Sequence, residues 1–244
     1  MSNTAILNIQ NLTKSYGKVF SITDININIE PGQIVGLLGP NGSGKTTLIK
    51  VITGLLTSYT GSVEINGTPP GHQSNSYISY LPDKEHIPNW LKVSQAINMF
   101  EDFYNDFDKD LVSNMLKTMN IPTNMRLKQL SRGQREKVQL SLVMSRRAKL
   151  YILDEPIGAV DPASRDFILD TILKNYNRDA SILISTHIIS DIEPILDQVI
   201  FLKEGKILIQ GDTDDIREEY NLSLDGAFRQ VFKNNVFDAQ GGTR

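Results

Sequence analysis

The sequence predicts an α/β protein in which a mainly parallel sheet is accompanied by an antiparallel β layer and a helical subdomain. Short apolar runs, typical of strands covered on both faces, alternate with helical stretches, and this order is typical of parallel sheets. Residues 89–149 instead show the apolar spacing of helices. With 244 residues, of which 40% are hydrophobic, the chain is long enough to bury a large core.

The first third of the chain predicts the antiparallel layer and the start of the parallel sheet. Residues 25–29 alternate isoleucine with asparagine, which indicates a strand with one buried face. After a Pro-Gly turn, the apolar run 34–38 predicts a strand buried on both faces, and residues 46–52 predict a helix. Residues 62–67 predict a short edge strand that ends in an Asn-Gly turn.

The second half of the chain predicts further strands of the same sheet. Residues 150–154 and 182–185 are apolar runs typical of buried strands. A helix that Asp161 can cap and Pro162 can start separates them, and residues 199–209 predict a final hairpin. The predicted boundaries are 1–232 for a single domain, about 84–148 for the helical subdomain inserted in it, and 233–244 for a polar C-terminal tail.

The composition excludes several classes of function. The 25 basic and 28 acidic residues give a formal net charge of −3, which does not suggest a general nucleic-acid binder, so we expect no nucleic-acid partner. The absence of cysteine excludes disulfides, cysteine-ligated zinc and thiol catalysis. The amino terminus lacks the pattern of a cleaved signal peptide, and no apolar stretch approaches the ~20 residues that cross a bilayer. We therefore expect a soluble chain.

A phosphate-binding loop follows the first buried strand. Residues 39–46 read Gly-Pro-Asn-Gly-Ser-Gly-Lys-Thr and match the pattern GxxxxGK[ST], between the strand and the helix that the pattern requires. Backbone N–H groups can turn toward phosphates there, Lys45 brings a positive charge to the β- and γ-phosphates, and Thr46 offers its hydroxyl to Mg²⁺. A glycine-rich turn without function is disfavoured, because pattern and context agree. The predicted nucleotide contacts are Gly39, Asn41, Gly42, Ser43, Gly44, Lys45, Thr46 and Thr47.

Two carboxylates stand at the end of the apolar strand 150–154, where a metal ion or a water would explain them. Asp154 suits the Mg²⁺ shell, together with Thr46. Glu155 points elsewhere and can orient or deprotonate an attacking water. Alone, such an acidic pair is more often a solvated turn, but the phosphate-binding loop upstream reverses that preference.

Residues 130–134, Leu-Ser-Arg-Gly-Gln, resemble the signature motif of the ATP-binding cassette (ABC) family, in its usual place before the Asp-Glu strand. The resemblance covers about residues 5–232 and implies the P-loop NTPase fold of ABC ATPases, with ATP and Mg²⁺ bound. It implies that Tyr16 stacks on adenine, that residues 158–161 form the D-loop and that His187 contacts the γ-phosphate. Taken alone, a half-buried strand tyrosine and a helix-capping histidine are the commoner interpretations. The sequence positions of Tyr16 and His187 relative to the other motifs favour the functional interpretations.

In the ABC family, two ATPase domains face each other head to tail, and each ATP lies between the phosphate loop of one and the signature motif of the other. The resemblance therefore implies a homodimer, or a heterodimer with a second ABC ATPase. Ser131, Gly133 and Gln134 would bind the nucleotide held by the partner. The residues with a catalytic role would be Glu155, His187 and Lys45.

The same resemblance implies the ATPase subunit of a transporter. Because the sequence has no membrane-spanning segment, we expect the channel to be a separate transmembrane permease and this chain to lie at the cytoplasmic face of the cell membrane. The short chain, the Tyr-Leu-Pro-acid segment 80–83, and the resemblance of residues 224–228 to the terminal helix of bacterial export ATPases favour an exporter of a peptide, antibiotic or lipid-like compound. Two alternatives stay open: a soluble ABC ATPase acting on ribosomes or DNA, and a regulatory module that binds ATP without turnover.

Four features allow more than one interpretation. Arg132 replaces the first glycine of the common signature motif, and a solvated side chain is its plainest interpretation. Asp83 stands where a glutamine often contacts Mg²⁺, so it is either a third metal ligand or a hinge that faces the helical subdomain. Trp90 either anchors an interface or covers a local core. The basic residues Arg146, Arg147 and Lys149 either end a helix or bind nucleic acid or lipid headgroups.

Overall fold

The computed structural model describes residues 5–17, 19–158, 162–176 and 179–238. The strands are β1 (Leu7–Tyr16), β2 (Val19–Ile29), β3 (Ile34–Leu38), β4 (Thr60–Ile65), β5 (Ile78–Leu81), β6 (Leu150–Asp154), β7 (Ser181–Thr186), β8 (Gln198–Lys203) and β9 (Lys206–Asp212). The helices are α1 (Lys45–Ile52), α2 (His72–Asn75), α3 (Val93–Phe103), α4 (Lys109–Thr118), α5 (Arg132–Met144), α6 (Pro162–Asn175), α7 (Ile189–Ile192), α8 (Thr213–Tyr220) and α9 (Leu224–Asp238). Short 3₁₀ turns cover Leu127–Gln129 and Glu193–Ile195.

The antiparallel layer is a three-stranded sheet in the order β2-β1-β4. Its isoleucines at positions 25, 27 and 29 are buried while the asparagines between them are exposed, as the alternating sequence predicts. β4 lies at one edge and ends in a turn in which Asn66 and Gly67 have φ values of 48° and 72°. The Asn-Gly turn is thus where the sequence places it, because these two residues adopt left-handed backbone conformations at low cost.

The larger sheet has the order β5-β6-β7-β3-β8-β9, in which the neighbours from β5 to β8 pair in parallel and β9 is antiparallel. Its three central strands, β6, β7 and β3, are buried at every position. Full burial explains their continuous apolar sequences, since helices cover both faces of a parallel sheet. The α/β class, with a parallel core, an antiparallel layer and helices, is confirmed.

Helices α3, α4 and α5, with the turn between α4 and α5, form the helical subdomain between β5 and β6. It has an apolar core of its own, to which α3 contributes Val93 and Ile97. α5 belongs to two cores, because Leu142 packs in this one while Val143 and Met144 pack against the larger sheet. α5 is therefore the element that joins the helical subdomain to the rest of the protein.

Several sequence predictions differ from the structure or fall outside it. The last helix, α9, continues to Asp238 and so crosses the predicted domain end at residue 232. That domain boundary stays a prediction. Asp161, as helix cap and as part of the D-loop, lies outside the described residues together with positions 159 and 160. Arg146 lies two residues after the end of α5, and its side chain is buried against Asp106, which leaves it almost no exposed surface for nucleic acid or lipid headgroups. Among the described helices, none has both the length and the apolar character needed to cross a membrane.

Candidate active site

The carboxyl ends of three neighbouring parallel strands, β6, β7 and β3, lie side by side at one edge of the sheet. In the register of the sheet, Leu38 lies opposite Thr186, and Asp154 lies opposite Ser185. The phosphate-binding loop, the acidic pair and the predicted γ-phosphate histidine directly follow these strand ends. Sheet topology therefore brings together residues that are more than a hundred positions apart in the sequence.

The phosphate-binding loop turns sharply from β3 into α1. A Cβ atom at Gly39 would lie 2.3 Å from the carbonyl oxygen of Leu202, and one at Gly44 would lie 2.9 Å from the carbonyl oxygen of Ser21. Gly44 also has a φ of 110°, which side chains rarely tolerate. The two glycines are required because other chain segments approach the loop closely. Behind the loop, the Ser21 hydroxyl donates a hydrogen bond to Thr47 Oγ1 at 2.9 Å.

Lys45 is the first residue of α1, and its side chain is only 6% exposed. Its ammonium donates hydrogen bonds to the carbonyl oxygens of Gly39 at 2.7 Å and Pro40 at 3.2 Å, and it lies 3.7 Å from Glu155 Oε1. Burial lowers the pKa of Lys45, and the negative charges of Glu155, Asp154 and Asp83 oppose this change. The lysine is thus held over the loop by carbonyl groups, close to carboxylates whose negative charge favours its charged form.

Asp154 ends β6 and is almost fully buried. It accepts hydrogen bonds from the hydroxyls of Ser185 and of Thr46, the latter at 3.3 Å. Burial raises the pKa of Asp154, the hydrogen bond from Ser185 opposes this change, and the charge of Asp83 adds to it. The contact between Thr46 and Asp154 brings the two predicted Mg²⁺ ligands together.

Glu155 connects the three strand ends. Its φ of 54° is in the left-handed region, and its backbone N–H donates to the carbonyl oxygen of Ser185 at 3.0 Å and to its hydroxyl at 3.2 Å. In its carboxylate, Oε1 faces the ammonium of Lys45 and Oε2 lies 2.9 Å from Nδ1 of His187. The nearby Gly158 leaves room for it, since a Cβ there would lie 3.3 Å from Oε2. Strain at an otherwise regular strand end is typical of functional residues.

An open cavity of about 520 Å³ lies over the phosphate-binding loop and is lined by Asn41, Ser43, Thr46, Asp83, Glu155 and His187, among others. Oγ of Ser43 is buried and has no hydrogen-bond partner among the described residues. It is thus available to an anion that occupies the loop. The cavity, the free hydroxyl and the buried ammonium of Lys45 fit the phosphate groups of a nucleotide.

The same cavity fits Mg²⁺ held jointly with phosphates rather than by the protein alone. Among the described residues, no group of three or more histidine, cysteine, aspartate or glutamate side chains is arranged to hold a metal ion. Mg²⁺ commonly takes one or two protein ligands and completes its shell with waters and substrate phosphates. Thr46 and Asp154 can supply these two ligands.

Asp83 is exposed and lies at the rim of this cavity. It also lines a second cavity, of about 370 Å³, between residues 81–85, the start of α5 and residues 154–156. Its charge reaches the active site, since it influences the pKa values of Lys45 and Asp154. Both predicted roles, metal ligand and hinge, are compatible with this position.

None of the signature residues lines the cavity over the phosphate-binding loop, although Arg132 lines the second cavity beside it. Ser131 caps α5: its Oγ accepts from the N–H of Gln134 at 3.2 Å, and Oε1 of Gln134 accepts from the N–H of Ser131 at 3.0 Å. The hydroxyl hydrogen of Ser131 remains available for a phosphate oxygen. Arg132, the residue that departs from the common motif, forms an ion pair with Glu136 at 3.0 Å.

Tyr16 also lies outside the cavity, at the end of β1, where 51% of the residue is exposed. The ammonium of Lys14 lies 4.9 Å from the centre of its ring. An exposed ring can stack on a base, so both interpretations, adenine stacking and a half-buried strand tyrosine, are compatible with this position.

Ser185 is a residue of this site that sequence reasoning missed, as is Ser21 behind the loop. Its hydroxyl binds Asp154 and its backbone holds Glu155, so it orients both acids. The available signal was its position at the end of a buried strand, next in sequence to Thr186 and His187. Only the pairing of β6 with β7 shows which acids it faces.

Comparisons with known proteins find a matching family and similar individual proteins. The family model described as ABC transporter matches residues 22–158. A SkfA peptide export ATP-binding protein of Bacillus subtilis is 32% identical, over 83% of this chain and 87% of its own length. An ABC transporter ATP-binding protein of Methanocaldococcus jannaschii is 31% identical, over 86% and 79%. A lantibiotic transport ATP-binding protein of Streptococcus pyogenes is 29% identical, over 90% and 97%.

Solved structures have the same fold. The ATP-binding subunit of an ABC transporter superposes with a TM-score of 0.85 at 25% identity, covering 93% of this chain and 99% of its own. A dimeric ATP-binding cassette in a post-hydrolysis state, bound to ADP and phosphate, superposes with a TM-score of 0.75 at 21% identity, covering 84% of this chain and 98% of its own.

Proposed function

This chain belongs to the ABC transporter family, and we propose that it binds and hydrolyses ATP to drive a separate membrane permease in the direction of export. The observation that carries the proposal is the grouping of Lys45, Glu155 and His187 at the phosphate-binding loop. A carboxylate at this place weakens nucleotide binding, because it repels phosphate groups. Its presence is therefore better explained by hydrolysis than by a regulatory module that only binds ATP.

Binding of ATP depends on the loop and on α1. Backbone N–H groups at the start of α1 and the hydroxyl of Ser43 would receive the phosphates, and Lys45 would turn from the carbonyls of Gly39 and Pro40 toward the β- and γ-phosphates. Tyr16 would stack on the adenine ring. Thr46 and Asp154 would hold Mg²⁺, whose positive charge would offset the negative charge of the phosphates.

Hydrolysis requires a group that accepts a proton from the attacking water. Glu155 has this role in our proposal, because Ser185 fixes its backbone and its carboxylate lies at the cavity. The phosphates of ATP would replace Glu155 as the ion-pair partner of Lys45. The carboxylate of Glu155 would then be free to accept the proton. His187, 2.9 Å from Glu155, would orient this carboxylate and donate to the γ-phosphate as negative charge moves.

The position of the signature residues favours a dimer. Ser131, Gly133 and Gln134 do not line the cavity of their own chain, which supports their binding a nucleotide that is held by a second copy or by a related ATPase. The start of α5 would then add N–H donors and the Ser131 hydroxyl to the γ-phosphate. ATP would join the two subunits, and its hydrolysis would release them.

A groove of about 440 Å³ between the helical subdomain and the sheet supports a docking place for the permease. Its lining is mostly apolar and includes Leu55, Tyr80 and Phe100. Phe103, the last residue of α3, is exposed, and Trp90, which precedes α3, is 62% exposed. The exposure of Trp90 contradicts its alternative role as the cover of a local core. Exposed aromatic side chains of this kind are typical anchors of interfaces.

The direction of transport is inferred from the relatives. Two of them, at 32% and 29% identity, are named for peptide export and lantibiotic transport. From these names we propose a peptide-like compound as the exported substrate. A permease partner would also place this chain at the cytoplasmic face of the membrane.

Sizing chromatography of the Glu155→Gln variant tests the proposal. The variant should bind ATP without hydrolysing it and should elute as a dimer with ATP and Mg²⁺, but as a monomer with ADP. The same variant with Lys45→Ala added is the matched control and should stay monomeric. Wild-type protein that binds ATP without turnover, or a Glu155→Gln protein that stays monomeric at saturating ATP, would refute the proposal.

A further inference from the structure

Arg146 forms a buried polar junction between the helical subdomain and the sheet. It lies two residues after the end of α5, and only 4% of the residue is exposed. Its Nε and Nη2 atoms donate hydrogen bonds to the two carboxylate oxygens of Asp106, at 2.9 and 3.0 Å. The pairing is bidentate, which fixes the guanidinium in direction as well as in distance. Asp106 lies in the connection between α3 and α4.

The other side of the guanidinium is bound to the sheet. Nη1 donates to the carbonyl oxygen of Ile78 in the edge strand β5, and Nη2 donates to that of Ser76 at 3.3 Å. The ring of Tyr104 lies 3.9 Å from the guanidinium carbon. The carbonyl oxygen of Arg146 in turn accepts a hydrogen bond from the hydroxyl of Tyr151 in β6. One residue thus joins the helical subdomain to two strands.

The place of this junction along α5 gives it a functional consequence. Ser131 caps the first turn of α5, and Arg146 follows the last turn, so the two lie at opposite ends of a helix about 20 Å long. A tilt of about 3° at the anchored end moves the signature end by about 1 Å. Displacements of about 1 Å at a reacting centre can cost about 10²-fold in rate. The orientation of α5 therefore matters for contact with phosphates.

We propose that Arg146 is a positioning residue that sets the direction of α5 and thereby places Ser131 against the nucleotide of the second subunit. This inference rests on the proposed ATP-dependent dimer. Apolar contacts of α5, such as those of Leu142 and Val143, hold it in place but tolerate small rotations, because they are not directional. The bidentate pair and the bonds to β5 are directional, so they determine the angle.

The test replaces Arg146 by lysine in the Glu155→Gln background. Lysine keeps the positive charge, but its single ammonium cannot pair with both oxygens of Asp106 or replace all four hydrogen bonds of the guanidinium. We expect the ATP concentration for half-maximal dimer, measured by sizing chromatography, to rise about tenfold. The affinity of the monomer for a fluorescent ATP analogue should stay within about twofold. Arg147→Lys is the matched control and should change neither value, since this neighbour is 77% exposed and pairs with Asp108 near the surface.

A second variant keeps the test decisive if Arg146→Lys folds poorly. Asp106→Asn removes the bidentate partner and should raise the dimerisation midpoint similarly, and the double variant should add little to either single one. Thermal unfolding of each variant separates stability from positioning. A lowered melting temperature with an unchanged dimerisation midpoint would overturn the inference. If the parent Glu155→Gln protein forms no dimer, the proposed function fails first and this inference falls with it.

Discussion

Replacing Glu155 by glutamine should separate the binding of ATP from its hydrolysis. The two side chains have the same shape, so the contact with Nδ1 of His187, 2.9 Å in the wild type, can be kept. The variant loses the negative charge and the ability to accept a proton from water. Loss of a general base lowers turnover by about 10²-fold or more, which corresponds to about 3 kcal/mol in the barrier.

The same substitution should strengthen ATP binding. Glu155 Oε1 lies 3.7 Å from the ammonium of Lys45, and two unit charges at about 4 Å attract by about 4 kcal/mol at an effective dielectric constant of about 20. Phosphates must compete with this attraction in the wild type. The carbonyls of Gly39 and Pro40, together with water, also hold the ammonium in both proteins, so we expect a gain of about 1 kcal/mol, or roughly fivefold in affinity.

Two assays measure these effects. Titration with a fluorescent ATP analogue gives the affinity, and phosphate release at saturating ATP and Mg²⁺ gives the turnover. Glu219→Gln, a change of the same kind on the exposed face of α8, is the control and should alter neither value. Unchanged turnover in Glu155→Gln would refute the role of Glu155 as the base, and weaker ATP binding would refute its competition for Lys45.

Three further predictions concern the same site. Lys45→Ala should weaken ATP affinity at least about tenfold, because a buried charge that faces the phosphates is lost; equal affinity in the titration would contradict this. His187→Ala should lower turnover about 10²-fold with affinity within about twofold, whereas Tyr16→Ala should weaken affinity about tenfold with little change in saturated turnover; both assignments are wrong if the variants lose affinity alike at equal turnover. Asp83→Gln should make hydrolysis less steeply dependent on Mg²⁺, because it removes a charge that repels the phosphates when the metal is scarce; superimposable normalised Mg²⁺ titrations would leave only the hinge role.

The sequence predicted those parts of the site that are local in the chain. The phosphate-binding loop is read from eight consecutive residues, and its glycines are needed for the turn that the structure shows. The strands β3, β6 and β7 were recognisable because burial on both faces leaves a continuous apolar run. The fold class followed from the order of these runs and of the helices.

What the sequence could not predict depends on pairing between distant segments. Ser185 and Asp154 are 31 positions apart, and Arg146 and Asp106 are 40 apart. No pattern in one segment indicates which partner will lie beside it. Arg146 illustrates the consequence: a cation near a helix end is usually solvated, but its bonds to Asp106 and to the carbonyl oxygens of Ser76 and Ile78 make its burial favourable.

In our proposal, each active site is made by two chains, the phosphate-binding loop of one and the signature of the other. An equimolar mixture of the variants Lys45→Ala and Ser131→Arg, each expected to be inactive alone, tests this arrangement. In a mixed head-to-tail dimer, one site combines the intact loop of the second variant with the intact signature of the first. Random assortment then predicts about a quarter of the wild-type ATP turnover in an equimolar mixture, although each variant alone is inactive. A mixture that is no more active than its separate components would show that the two chains do not share an active site in this way.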